Sequence, residues 1–149
     1  MAPEFRIACL TFAALLVGLG GSPPVRADDS ETIKDLACTF DSGTSSGYEA
    51  GKFTSKPAAP LAFKLSKIDL EGQSAELTAG TAELSAKIRI VRAINANHFL
   101  EVVNEGFLNL TTVYDADAKT GLRPAVHSRH LGLLGQPVFG QYTGTCKDN

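Results

Sequence analysis

Residues Leu84 to Tyr114 contain three runs of apolar and β-branched side chains, separated by two short polar segments. Alternation with a period of two is typical of half-buried strands, and Asn and Gly suit the tight turns between them. The segment therefore predicts a three-stranded antiparallel meander and disfavours a helix. The runs are Ala86–Ile94, His98–Val103 and Phe107–Tyr114, and the breaks are Asn95–Asn97 and Asn104–Gly106.

The alternation also predicts which side chains share a strand face. Ile88, Ile90 and Ile94 fall on one face of the first run. In the third run, one face has four members, which are Leu108, Leu110, Thr112 and Tyr114. We expect the inward faces to carry Phe, Leu, Ile and Val with a few polar groups, because burying apolar surface drives folding.

Further strands are predicted on both sides of the meander. Leu61, Phe63 and Leu65 alternate, and the pattern resumes at Ile68 and Leu70 after a slip of one residue, as a β-bulge produces. The other predicted strands are Cys38–Phe40, Tyr48–Thr54, Gln73–Thr78, Leu122–Leu134 and Pro137–Cys146. Asp41–Gly47, rich in Gly and Ser, is predicted to be a turn-forming segment.

About eight strands at this spacing predict an all-β domain, either a sandwich or a barrel. We favour a single antiparallel meander in a closed or nearly closed barrel and keep a β-sandwich as the alternative. This architecture resembles that of the lipocalin-like barrels. The Gly-x-Trp signature of those proteins near the first strand is absent, since the chain has no Trp.

Residues 1–27 have the features of a cleaved secretory signal peptide. Arg6 precedes an apolar stretch, Ile7–Leu19, and Val25-Arg26-Ala27 fits the small-residue rule for cleavage after Ala27. An uncleaved anchor is the alternative, but the stretch is short for the roughly 20 residues of a membrane span. We expect 1–27 to be removed and 28–149 to form one exported β-domain without a transmembrane segment, periplasmic or secreted.

Two cysteines lie in the predicted mature domain, Cys38 near its beginning and Cys146 near its end. In an oxidising compartment, an isolated pair of this kind predicts a disulfide, which would tie the first strand to the last. Free thiols or metal ligands are the alternative. No Cys-x-x-Cys motif indicates redox or zinc chemistry, so we expect no metal site and no cofactor.

The most reactive-looking cluster is His127-Ser128-Arg129-His130. On a strand, His127 and His130 point to opposite faces, whereas Arg123, His127 and Arg129 share one face. These three residues form a candidate anion or polar contact, because a cationic row can hold a carboxylate or phosphate. The alternative is a solvated strand face paired with acidic neighbours such as Glu101.

Two other motifs give weaker evidence for a catalytic or metal-binding site. Gly43–Gly47 matches Gly-x-Ser-x-Gly, but no helix follows it, and the nucleophile elbow requires a strand-to-helix turn. Asp115-x-Asp117 with Gly121 resembles a calcium loop in part, but Lys119 stands where another oxygen ligand is needed. We predict a mobile loop at the first motif and a hairpin turn at the second, with no catalytic residue at either.

Charge and composition narrow the function classes. The net charge is −2 with both signs interspersed, which does not indicate a nucleic-acid surface. The favoured hypothesis is a non-catalytic envelope protein that binds a small apolar or amphipathic ligand in or on the barrel. The alternative is a structural or protein-interaction module, with Phe139 and Tyr142 as candidate exposed aromatics. A weaker hypothesis is an enzyme using His127 or His130, which would need a nucleophile and a carboxylate nearby.

Overall fold

A computed structural model describes residues 33–80, 85–103, 106–132 and 136–149 of the chain. These ranges contain nine β-strands, and none of the residues in them belongs to a helix that could cross a membrane. The predicted signal peptide at residues 1–27 lies outside the described residues. The strands are β1 (Leu36–Glu49), β2 (Lys52–Pro57), β3 (Leu61–Asp69), β4 (Ser74–Ala79), β5 (Ala86–Arg92), β6 (Ala96–Val103), β7 (Phe107–Tyr114), β8 (Arg123–Leu131) and β9 (Val138–Asp148).

The strands form one antiparallel meander that closes into a barrel. From β3 to β9, each strand pairs with the next along the chain, and β1 pairs with both β3 and β9. This ring contains every strand except β2, which pairs with β1 alone. The predicted lipocalin-like architecture is therefore confirmed, with one strand added outside the ring.

Strand β1 holds the ring together because both of its edges are paired. Its first half, Leu36–Phe40, pairs with β3, its second half, Thr44–Glu49, pairs with β2, and β9 runs along the other edge. The prediction of a turn at Asp41–Gly47 is wrong, since these residues lie inside β1. The strand pairing satisfies their backbone groups, which outweighs the turn propensity of Gly and Ser.

The prediction of a strand at Tyr48–Thr54 is also wrong, because a tight hairpin turn interrupts it. Glu49 pairs with Lys52, and Ala50 and Gly51 between them have φ angles of 49° and 82°. Two consecutive positive φ values are the requirement of the type I′ turn that joins twisted strands. The sequence does not indicate this turn, because Ala50 occupies its first central position, where Asn, Asp or Gly is usual.

The predicted β-bulge in β3 is confirmed. The pairing of β3 with β4 shifts register between Ser66 and Asp69, and Lys67 takes a φ of 51°. Leu65 and Ile68 are consequently both buried although they are three residues apart. In β5, by contrast, the prediction that the strand extends to Ile94 is wrong. The strand stops at Arg92, and Ile94 is fully exposed in the turn that follows.

The barrel interior differs between its two ends. At one end, where β1, β4, β6 and β8 begin, apolar side chains fill the interior, and we call this the filled end. Residues of this core include Leu36, Leu65, Ile90, Val113 and Ala125. At the other end, where β3, β5, β7 and β9 begin, the interior is open, and we call this the cavity end.

A disulfide joins Cys38 on β1 to Cys146 on β9, and both residues are buried. The two cysteines are directly paired across the strands that close the barrel, as the sequence predicted. Their separation of 108 residues is long. In the chain-entropy description, a loop of this length gives roughly 4–5 kcal/mol. A disulfide of this kind fits an oxidising compartment.

The pairing of β1 with β9 shifts register between Thr39 and Ser42, which indicates a β-bulge in β1. Gly144 on β9 lies opposite this bulge, at a position that requires the absence of a side chain. A Cβ there would overlap the Thr39 carbonyl oxygen and the Phe40 Cα, whereas a Cβ at Gly47 on β1 would meet nothing within 4 Å. Gly144→Ala should therefore lower the free energy of unfolding by about 1–3 kcal/mol, the usual cost of overpacking. Urea denaturation followed by circular dichroism measures the difference.

Gly47→Ala is the matched control for this substitution. It should leave stability unchanged or raise it by up to about 1 kcal/mol, because Ala restricts the unfolded chain. Equal stability of the Gly144→Ala variant and the wild-type chain would contradict the close approach of β9 to the bulge.

Candidate functional site

The cavity end of the barrel contains a cavity of about 290 Å³. Five strands, β3, β4, β6, β7 and β8, contribute its lining. The apolar lining residues are Leu61, Phe63, Leu77, Ala79, Val103 and Phe107. The polar lining residues are Glu101, Asn109, His127 and Arg129, and we call these four the polar wall.

Strand pairing explains how the polar wall forms. Glu101 on β6 pairs with Asn109 on β7, and Asn109 pairs with Arg129 on β8. These three residues are therefore neighbours across adjacent strands, about 5 Å apart at each step. The Asn109 side-chain amide donates a hydrogen bond of 2.7 Å to the Glu101 carboxylate. The Asn109 amide thus lies between a carboxylate and a guanidinium.

Strand β7 faces the interior with its more polar side. Asn109, Thr111 and Val113 are buried, whereas Leu108 is 41% exposed on the outside. The expectation that inward faces are mainly apolar is wrong for this strand. Its polar groups are satisfied inside the barrel, because Asn109 bonds to Glu101 and Thr111 bonds to His127. Satisfied hydrogen bonds remove most of the cost of burying such groups.

His127 lies beneath the cavity among aromatic rings. Its ring centroid is 5.2 Å from that of Phe63, 5.6 Å from that of Phe40 and 5.9 Å from that of Tyr142. The His127 side chain is only 3% exposed, and its Nδ1 is 2.9 Å from the Thr111 hydroxyl. No group among the described residues forms a hydrogen bond with its Nε2.

The environment of His127 keeps its ring neutral. Burial, followed by the positive charge of Arg129, lowers the pKa of His127 from 6.5 to about 4. At neutral pH the ring is therefore uncharged, with one nitrogen protonated and the other an acceptor. Of the predicted cationic row, His127 contributes a hydrogen-bonding group and no charge.

Arg123 lies on the same face of β8 but at the filled end. Its guanidinium bonds to both carboxylate oxygens of Asp148, at 2.9 and 3.1 Å, and the residue is 4% exposed. Six residues of strand separate Arg123 from Arg129, or roughly 20 Å. The structure thus places the three predicted residues on one face, as the alternation indicates, but brings only His127 and Arg129 to the cavity. The solvated-face alternative is wrong, because this face is the barrel interior.

Arg129 is half-buried at the cavity. Within the described ranges, no carboxylate forms an ion pair with it and no side chain bonds to it. Glu101, named as its candidate partner from the sequence, lies two strands away and accepts its hydrogen bond from Asn109. The sequence did not indicate Asn109 as a functional candidate, because it does not show which face of β7 lies inside the barrel.

The other candidate motifs have structural roles. The Asp117 carboxylate accepts hydrogen bonds from the backbone of Lys119 and Thr120 and from the Thr120 hydroxyl, which lower the pKa of Asp117. Among the described residues, no cluster of ligating side chains could hold a metal ion. Thr111 and His127 are in contact, but no carboxylate described here orients the ring as in a catalytic triad.

An aromatic cluster lies on the outer surface at the β1–β2 hairpin. Phe53 contacts both Tyr48 and Phe139, with ring centroids 4.9 and 5.9 Å apart, and is 58% exposed. Tyr142, proposed from the sequence as an exposed partner of Phe139, lies inside the barrel and is 8% exposed. The outer aromatic cluster is therefore Tyr48, Phe53 and Phe139.

The fold and the site define a closed, disulfide-linked β-barrel with a cavity at one end. Comparisons of the chain with protein-family models, curated proteins and solved structures find no match.

The depressed pKa of His127 has a measurable consequence for stability. Since the folded chain disfavours the protonated ring, the unfolded chain binds more protons between pH 6.5 and about 4. The His127 contribution is complete above pH 6.5 and is lost as the pH falls through this window. Between pH 6.5 and about 4, the unfolding free energy of the wild-type chain should fall by on the order of 3 kcal/mol more than that of His127→Gln.

Urea titrations at several pH values measure this difference. The matched control is His130→Gln, because His130 is exposed on the outer face of the same strand. This variant should keep the wild-type pH dependence. Parallel pH profiles for the wild-type chain and His127→Gln would show that the buried ring does not titrate as described.

Proposed function

We propose that this protein binds a small apolar or amphipathic ligand in the cavity at the end of the barrel. The observation that carries the proposal is the lining: apolar side chains on most of the wall and a few polar groups grouped together. Ligand sites commonly have this composition, in which apolar surface supplies affinity and sparse polar groups supply orientation.

The cavity volume limits the size of the ligand. At about 290 Å³, the cavity is at the small end of the range of ligand sites, about 300–1,000 Å³. Taking about 30 Å³ for a group the size of water, it accommodates about ten non-hydrogen atoms. Phe63 and His127 line its base, and below them the filled end is occupied by core residues. The ligand therefore occupies only one half of the barrel.

Ala79 offers a direct test, because its side chain lines the cavity and is exposed. A Trp at this position would occupy ligand volume without displacing a core residue. The small neutral dye 1-aminonaphthalene, whose size suits the cavity, should bind to the wild-type barrel with enhanced, blue-shifted fluorescence. In Ala79→Trp, we expect affinity for the dye to fall at least tenfold.

The control for this variant is Ala62→Trp. Ala62 is exposed and lies next to Leu61 and Phe63 on β3, on the opposite face of the strand. The same added ring should therefore leave dye binding at the wild-type level. The absence of dye binding to the wild-type chain, or equal losses in both variants, would overturn the proposal.

We also propose that the β-domain acts after export, in the periplasm or outside the cell. The signal-like sequence at 1–27 and the buried disulfide between Cys38 and Cys146 support this location. The proposed domain boundary follows cleavage after Ala27, so the mature chain would begin at Asp28.

A protein-interaction module is the second candidate function. The outer aromatic cluster of Tyr48, Phe53 and Phe139 favours it, because aromatic side chains are enriched at protein interfaces. The partner in this case would be another envelope protein, bound outside the barrel. The ligand proposal has the stronger support, since the cavity has both volume and oriented polar groups.

Mass spectrometry of the protein from its native source tests location and distinguishes the two functions. The denatured, unreduced mass should correspond to a chain that begins at Asp28 and has lost two hydrogens. Under native conditions, a small added mass that denaturation removes would support the ligand proposal. A bare monomer or a complex with another protein would instead support the second function, and an intact N-terminus would contradict export with cleavage.

A further inference from the structure

We propose that the ligand is an anionic amphiphile, a monocarboxylate with a short apolar chain, whose carboxylate binds to Arg129 beside the buried ring of His127. This inference rests on the proposed function and specifies the chemical class of its ligand. Three observations carry it: a half-buried arginine without an acidic partner among the described residues, a buried imidazole ring beside it, and an apolar wall on the other side of the cavity.

The first observation is the charge of Arg129. Its guanidinium presents five donors in a planar fork that matches a carboxylate. Within the part of the chain that the structure describes, nothing pairs with this charge, although the residue is half-buried at the cavity. Partial burial of an unpaired charge is costly, and a bound carboxylate removes this cost through charge-assisted hydrogen bonds.

The second observation is the buried ring of His127. This residue lines the cavity, is 97% buried, and bonds through Nδ1 to the Thr111 hydroxyl. Its Nε2 is also buried, so the ring contacts the cavity without presenting this nitrogen to a ligand. Arg129, two residues along the same strand face, is therefore the group that binds the charge of the ligand.

The charge of the polar wall favours one negative charge on the ligand. His127 is neutral, so Arg129 is the single cation among the polar lining residues, and Glu101 adds a carboxylate two strands away. A dianionic phosphate would meet only one positive charge and would be repelled by Glu101. An ammonium group would be repelled by Arg129, and Glu101 already accepts a hydrogen bond from Asn109.

The third observation is the position of the apolar wall. Leu61 and Phe63 belong to β3 and Leu77 to β4, whereas His127 and Arg129 belong to β8. In the closed ring, three strands separate β4 from β8 in either direction, so these two strands lie on opposite sides of the barrel. A ligand with its carboxylate on β8 would therefore place its chain against β3 and β4.

The test measures binding of four compounds with the same eight-carbon chain: octanoate, 1-octanol, octylamine and octyl phosphate. Isothermal titration calorimetry at pH 7 and low salt gives each dissociation constant. Wild-type protein should bind octanoate at least tenfold more tightly than the other three compounds. Arg129→Gln should bind octanoate at least tenfold more weakly than the wild-type protein and keep its affinity for octanol.

Arg89→Gln is the matched control, because Arg89 is an exposed arginine on the outer face of β5. It removes the same charge without changing the cavity, so it should keep the wild-type preference for octanoate. Retained octanol binding by Arg129→Gln shows that this variant is folded.

The outcomes separate this inference from the proposed function. Equal affinity for octanoate and octanol would overturn the carboxylate assignment and leave an apolar ligand site. Tighter binding of octyl phosphate or octylamine would overturn it in favour of another head group. An octanoate preference that persists in Arg129→Gln would place the anion elsewhere. If none of the compounds and no apolar dye binds, the proposed function itself fails.

Discussion

The pairing of β1 with β9 is the interaction on which this structure depends. All other neighbouring strands in the ring are joined along the meander or through β1, and without this pairing the sheet would have two long open edges. Open edges expose unpaired backbone groups and promote aggregation. The Cys38–Cys146 disulfide joins the same two strands, so the covalent link and the hydrogen-bonded closure stabilise one interface.

Closure also determines where the interior is filled. Glycines at 43 and 140, on β1 and β9, leave space that the Tyr142 ring occupies, since a Cβ at either position would crowd this ring. Tyr142 then contacts His127, which contacts Phe40 and Phe63 in turn. This layer of rings separates the filled end from the cavity. His127 is therefore a core residue on one side and a cavity residue on the other.

The regular parts of the fold could be predicted from the sequence because they depend on local alternation. The strands of the central meander and the slip between Leu65 and Ile68 are visible in the order of the side chains. The Gly- and Ser-rich segment Asp41–Gly47 was beyond such reasoning, because it is a strand through its pairing with β2 and with distant residues of β9. Local turn propensity and long-range pairing give opposite answers there, and pairing satisfies more backbone groups.

The candidate site could be predicted only as a pattern. The alternation placed Arg123, His127 and Arg129 on one face but did not indicate whether that face was inside the barrel. The orientation of Asn109 and the interior position of Tyr142 were missed for the same reason. Which face of a strand lies inside depends on how the ring closes. A strand with Leu on one face and Asn and Thr on the other predicts that the Leu face is buried, and in β7 this prediction is wrong.

The two arginines of β8 differ in their surroundings because they lie at opposite ends of the barrel. At the filled end, where core residues exclude a ligand, Arg123 is buried and bonds to Asp148. At the cavity end, Arg129 has no acidic partner among the described residues, although Glu101 lies on the same side of the barrel. Asn109 stands between them and bonds to Glu101, so the acid is satisfied without neutralising Arg129. The same spacing leaves the guanidinium of Arg129 at the cavity without an acidic partner among the described residues.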